Sequence, residues 1–164
     1  MGSYHLRLKE KIISSNSELQ RILKNGQFII LGICSENEPY VFTMNYGYDF
    51  SRNALYFHCA KEGFKLGFIK RNPQVCGTII EDLGYQMGVC EHAYRSLIIR
   101  GDMHIVEDSD EKRHGLEVLI DHLEEIPAPV KERTFKKPNV LETLNILRLD
   151  VLSITGKDGL LESL

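Results

Sequence analysis

Lys61, Gly63 and Lys65 fall within one short stretch of the segment ALYFHCAKEGFKLGFIKRNP, residues 54–73. The segment starts as a strand, breaks at this loop and resumes as a helix near Phe64. A phosphate group needs fixed positive charge and free N–H donors. Lys61 and Lys65 supply the charge, and Gly63 lets the backbone come close. The first turn of the helix aims its unpaired N–H groups at the same place. The helix dipole contributes roughly 0.3–1 kcal/mol there. A lysine about 4 Å from a phosphate charge contributes roughly 4 kcal/mol before desolvation. The lysines therefore decide whether such a site works, provided Glu62 points to solvent. The competing reading is a solvated, charged turn in front of an ordinary helix. Spacing alone leaves both open.

A second candidate surface precedes it. In PYVFTMNYGYD, alternation puts Tyr40, Phe42, Met44 and Tyr46 on one face and Val41, Thr43 and Asn45 on the other. Such a strand can hold a flat heterocycle by stacking and backbone hydrogen bonds, or it is simply a two-faced barrel strand. His58 is the sharpest of the six histidines and the one candidate catalytic residue. A histidine satisfied at a strand end explains it equally well. Cys59 is read either as a thiol with lowered pKa beside the cations or as a small core residue. Cys90, Glu91 and His92 give too few ligands in one loop for zinc. Haem ligation by His58, His92 or His104 is a minority reading. His114 and His122 are expected on the surface of a helix. No catalytic triad can be argued from spacing.

Several elements must position these residues. Ser15 to Glu18 has the capping-box pattern and opens a helix, ELQRILKN, which Gly26 is expected to end in the left-handed conformation. Strands are predicted over QFIILGIC, YVFTMNYGY, ALYFHC, QVCGTIIE, AYRSLIIRGDMHIVE and ILRLDVLSITG, with a bulge or bend at Gly101. A glycine-containing loop follows QVCGTIIE. The stretch SDEKRHGLEVLIDHLEE reads as a helix with Leu116, Leu119, Ile120 and Leu123 on one face. IPAPVKERTFKKP, residues 126–138, reads as an irregular, mobile connection. Short polar turns between strands favour antiparallel hairpins. The fold class is thus mainly β, a six-stranded antiparallel barrel with helices at the start, middle and end. No dinucleotide fingerprint or P-loop is present.

With 164 residues the chain reads as one domain over 1–164. Its net charge of −3 argues against nucleic acid as the main partner. No apolar run approaches the ~20 residues of a membrane span. The four cysteines are widely spaced, and MGSYHLRLKE is too polar for a secretory leader; both predict a reduced, cytoplasmic protein.

The ordered set Arg7 with KEKI, the helix before Gly26, PYVFTMNYGYD, LYFHCAKEGFK, NPQVC, YRSLIIRGDMHIVED and ITGK resembles the FMN-binding split-barrel superfamily related to pyridoxamine 5'-phosphate oxidase. Within it, the chain is most similar to the nitroimidazole-resistance (Nim-type) branch. The resemblance implies a homodimer with FMN at the subunit interface. It implies that Thr43, Met44 and Asn45 lie along the isoalloxazine, and that Phe57, His58, Cys59 and Ala60 lead into a phosphate site served by Lys61, Gly63 and Lys65. Tyr94, Arg95 and Ser96 would lie near the flavin or the interface. Three positions depart from the branch. Thr43 stands where proline is common, which would alter the flavin strand. Cys59 stands in HCA where HSA is common, which would weaken a phosphate contact. Gly77 stands where a bulky apolar residue is usual, which would enlarge a pocket or mark a bulge.

The chain end VLSITGKDGLLESL lacks the arginine-rich substrate segment of true pyridoxamine-phosphate oxidases, so that activity is not expected. The resemblance implies instead an FMN-dependent oxidoreductase acting on a small electron-poor acceptor, of nitro or quinone type. A non-catalytic flavin-binding or sensor protein, or a haem-binding barrel, is the alternative.

Overall fold

The computed structural model describes residues 9–160. After a 3-10 turn at Lys9–Lys11, the described elements are β1 (Ile12–Ile13), α1 (Asn16–Asn25), β2 (Phe28–Ser35), β3 (Glu38–Asn45), β4 (Gly47–Asp49), β5 (Ala54–Cys59), α2 (Phe64–Arg71), β6 (Gln74–Gln86), β7 (Glu91–Ile105), α3 (Ser109–Leu123), α4 (Pro127–Phe135), α5 (Val140–Thr143) and β8 (Asn145–Asp158). Arg7, part of the resemblance, lies outside the described residues.

All strand pairs are antiparallel, in the order β3-β2-β6-β7-β8-β5-β4, with β1 added to β8. The first and last strands of that order, β3 and β4, are consecutive in the chain and separated only by Tyr46. The sheet is thus wrapped until its two ends are joined covalently, a split barrel. The six expected strands are present. The second is broken at Tyr46 into β3 and β4, and β1 is additional.

Hydrophobic alternation decides the two faces. Ile29, Leu31 and Ile33 of β2, Leu97 and Ile99 of β7, and Leu55 and Phe57 of β5 fill the barrel interior. Each such side chain removed from water contributes about 1.5–3 kcal/mol. Leu66, Phe68 and Ile69 of α2 and Ile22 and Leu23 of α1 join the same core. A second core lies outside the barrel, where Ala54, Tyr56 and Ile146 meet Leu116, Leu119 and Ile120 of α3.

Several expectations change. The capping box is half formed: Ser15 accepts from the Glu18 N–H at 3.4 Å, whereas the Glu18 carboxylate turns to Arg21. Gly26 is extended, at φ −69° and ψ 140°, rather than left-handed. It is glycine for want of room, because a Cβ there would lie 2.5 Å from the Tyr46 hydroxyl. Gly101 does mark a register shift: Arg100 opposes Ser153 while Gly101 opposes Val151, and a Cβ on Gly101 would lie 2.0 Å from the Asp150 carbonyl oxygen.

Gly77 neither bulges nor opens a pocket. It keeps regular pairing, and Ile29 and Leu31 fill the room beside it. The loop expected after QVCGTIIE is instead strand, since β6 runs through a bulge between Asp82 and Tyr85 as far as Gln86. The connection 126–138 is mostly helix α4, with Pro127 in its first turn, where a missing N–H costs nothing. Among the described residues no helix follows β8.

Candidate functional site

The strand β5 delivers His58 and Cys59 to the loop Ala60–Gly63, and α2 begins at Phe64. Gly63 sits at φ 154° and ψ 154°, a conformation reserved for glycine, with open space where a Cβ would stand. No side chain caps α2; the Leu66 N–H donates to the Gly63 carbonyl at 3.1 Å, and the N–H groups of Phe64 and Lys65 remain available.

An aromatic seam holds this helix start against β3. The Tyr40 ring meets Phe64 at 5.3 Å, Phe68 at 5.8 Å and Phe42 at 5.6 Å, and Lys65 Nζ lies 5.9 Å from the centre of the Phe42 ring. Lys65 is half-buried and Lys61 exposed, and among the described residues neither pairs with a carboxylate. Tertiary packing thus brings the charged loop to the strand that carries Thr43, Met44 and Asn45. Those two segments lie about twenty positions apart in sequence.

Along β3, Tyr40, Phe42 and Met44 turn inward as expected, while Val41, Thr43 and Asn45 are exposed. Thr43 keeps the regular pairing Ile30–Thr43, so the strand is undistorted where proline is common in the branch. Asn45 uses one amide hydrogen on the Gln27 carbonyl, at 3.0 Å. Phe57 is fully buried in the barrel and paired with Leu147 of β8, so its side chain does not reach the loop surface.

Cys59 is likewise a core residue. Burial raises its thiol pKa and nearby Lys65 opposes that only in part, which favours the core-residue reading of Cys59 over an activated thiolate. His58 is exposed beside Tyr56 on the outer face of β5, with no hydrogen bond among the described residues. All four cysteines are free. His92 is turned to Asp82 at 2.6 Å and His104 stands 3.6 Å from Asp150. Among the described residues no three His, Cys, Asp or Glu side chains converge on a metal position.

Asn145 went unnoticed in the sequence, yet it braces the loop. It is buried opposite Cys59, and its Nδ2 donates to the Ala60 carbonyl at 3.2 Å and the Lys61 carbonyl at 3.1 Å. The available signal was a polar amide opening an otherwise apolar strand, NILRL.

Tyr94, Arg95 and Ser96 lie on β7, three strands from β3 within one chain. Tyr94 and Ser96 face outward. Arg95 is tied up: its Nε donates to Asp158 at 3.1 Å, and it flanks Glu81 and Glu18, which Arg21 also binds. His114 and His122 are not surface residues but the fasteners of α3. His114 Nε2 stands 2.7 Å from Asp49, and His122 Nε2 stands 2.6 Å from the Gly26 carbonyl. Burial alone would raise the Asp49 pKa. The hydroxyl of Ser51, the His114 ring and the backbone N–H groups of Arg52 and Ser51 outweigh burial and hold it down at about 2.

The described structure is a wrapped antiparallel barrel with an open, cationic strand-to-helix corner. The family profile described as pyridoxamine 5'-phosphate oxidase matches residues 15–158, and the chain belongs to that family. It fits the Nim-type branch. A candidate 5-nitroimidazole antibiotic resistance protein from Bacteroides thetaiotaomicron VPI-5482 is 25% identical over 94% of this chain and 95% of its own, with a TM-score of 0.70. A flavocytochrome from Azotobacter vinelandii is 15% identical over 98% of this chain and 75% of its own, with a TM-score of 0.77. An FAD and haem binding protein from Mycobacterium smegmatis is 17% identical over 91% of this chain and 73% of its own, with a TM-score of 0.71. The last two likenesses establish the fold alone. No curated protein sequence matches the chain. Among the described residues, no helix is long and apolar enough to cross a membrane.

Proposed function

We propose that this protein is a single-domain FMN-binding oxidoreductase that reduces a small electron-poor acceptor of nitro or quinone type. The observation that carries the reading is the corner at Gly63. Two lysines that pair with no carboxylate among the described residues, and an uncapped helix start, are held by the Tyr40–Phe64–Phe68 seam against the exposed edge of β3. That donor set suits a phosphomonoester, so the residues present fit the cofactor. Lys65 and Lys61 would take the phosphate charge, with Gly63 and the backbone of residues 60–65 as the cradle. Thr43, Met44 and Asn45 would border the ring. The free hydrogen of the Asn45 amide is available to a carbonyl oxygen. Bound flavin would supply the electron transfer, and the chain's own part is to position the cofactor and shield it.

The Nim-type relative supports a nitro-bearing acceptor. The exposed face bearing Phe28, Val41 and Ile80 supports a homodimer closing over the flavin, since such apolar area is usually covered by a partner.

The visible spectrum of the untagged protein as purified tests the cofactor, followed by release and identification of the chromophore. A two-banded flavin spectrum yielding FMN is expected. A sharp Soret band would move the barrel to haem. A colourless protein that also refuses added FMN would end the flavin reading. Light scattering is expected to give twice the chain mass. Failure of the reduced, FMN-loaded protein to pass electrons to any nitro or quinone acceptor would leave a flavin store or sensor.

A further inference from the structure

A cavity of about 440 Å³ opens between α1, β4 and β8. Asn16, Leu19, Gln20 and Leu23 are spaced by three and four residues, so one stripe of α1 forms one side of it. Leu23 is buried in the barrel core, and Leu19 packs against that core. Ile154 of β8, the rings of Tyr48 and Phe50, and Asn53 complete the lining.

The aromatic wall is fixed before any ligand arrives. The Tyr48 hydroxyl donates to Asn53 Oδ1 at 2.7 Å, and Asn53 Nδ2 donates to the Val151 carbonyl at 3.0 Å, so the Asn53 amide is spent on holding the ring. Phe50 meets Tyr48 edge-on at 4.6 Å and stays half exposed, which leaves it contact area for a third ring. Asn16 and Gln20 differ from Asn53: among the described residues neither side-chain amide makes a hydrogen bond. Each has N–H donors and a carbonyl acceptor to offer.

No lining residue carries a charge. Burial, helped by the Asp49 charge beside it, pushes the Tyr48 pKa up, so the phenol stays neutral. A charged ligand would lose hydration there without gaining a partner. Charge begins across the Tyr48–Phe50 pair, where a second cavity of about 380 Å³ is lined by Lys24, Asp49, His114, Asp121 and His122 among others. Apolar surface, an available ring and two amides one helical turn apart suit a flat, neutral molecule with a donor beside an acceptor on one edge. Asn and Gln amides read such an edge in adenine, at N6 and N7.

We infer that the cavity beside α1 binds a neutral nucleobase, its ring against Phe50 and its edge on Gln20 and Asn16. Its lining shares no residue with the cofactor corner or with the apolar face of Phe28, Val41 and Ile80. β5 carries the chain roughly 20 Å from Asn53 to Ala60, at about 3.3 Å per residue. Binding there does not depend on flavin.

Adenine is titrated calorimetrically into the protein as purified, with purine, which lacks the exocyclic amine, as the comparison. Wild type is expected to bind adenine five-fold or more tightly than purine. Gln20→Leu is expected to weaken adenine ten-fold or more and purine less than three-fold. Phe50→Ala is expected to weaken both ten-fold or more, because stacking does not read the edge. Both side chains are exposed, so the melting temperature should hold in both variants, and FMN affinity should change less than two-fold. AMP binding that Gln20→Leu weakens equally would support the cavity as a seat for the base of a nucleotide. Exclusion of AMP while adenine binds would support it as a seat for the free base. Equal losses of adenine and purine in Gln20→Leu would overturn the proposal, as would unchanged adenine binding in Phe50→Ala. So would the absence of adenine binding at millimolar concentration, or competition between adenine and FMN, because the cavity would then belong to the flavin.

Discussion

Two groups of cations on this barrel behave oppositely. Arg21 and Arg95 stand among Glu18, Glu81 and Asp158, and together they lace α1 to β6, β7 and β8. Lys61 and Lys65 stand at the start of α2 with no carboxylate partner among the described residues. Sequence resemblance put Arg95 and Lys65 in the same functional set, and packing separates them. A cation whose charge is already matched holds the fold. A cation left unmatched beside free N–H groups is available to a ligand. Unmatched charge, rather than charge itself, marks the candidate site.

The matched group extends to Asp49, and there the largest effect is expected. Its pKa falls from 3.8 to about 2 on folding, so it contributes stability that is fully present above about pH 4 and is lost as pH falls toward 2. Asp49→Asn should cost about 2 kcal/mol at pH 7. In urea unfolding, the gap between wild type and variant should close on acidification from pH 4 to pH 2. A gap independent of pH would mean the carboxylate charge is not what fastens α3.

Lys65→Ala should weaken FMN binding ten-fold or more, about 1.4 kcal/mol, with an unchanged melting temperature. An unaltered dissociation constant would remove Lys65 from the phosphate site and break the contrast at its centre. Arg95→Met should do the reverse. It should cost about 1 kcal/mol of stability, since Asp158 loses its partner while Glu81 keeps Arg21, and FMN affinity should stay within two-fold. Lys61→Ala should have the smallest effect, a loss of FMN affinity of about two- to three-fold, because its side chain is exposed and its field is screened. An effect larger than that of Lys65→Ala would reverse their order at the phosphate.

Local chemistry made much of this legible. Period-two alternation announced β3, β-branched and aromatic content announced β2, and the break at Lys61–Gly63 announced the start of α2, because these signals depend on neighbouring residues alone. Gly101 announced its bulge for the same reason. Gly26 was recognised as a helix end for the wrong reason, since its lack of a side chain makes room for the Tyr46 hydroxyl from across the barrel. His114 and His122 looked like surface residues because their partners, Asp49 and the Gly26 carbonyl, are 65 and 96 positions away.

Residue order alone was enough for the six main strands, the two faces of β3 and the cationic loop with its glycine. Only the tertiary structure decided which charges were already matched, that Asn145 braces the loop, and that the aromatic seam carries Lys65 to β3. Matching and bracing are contacts between residues far apart in the chain, and closing the barrel is what brings them within a few ångströms of each other.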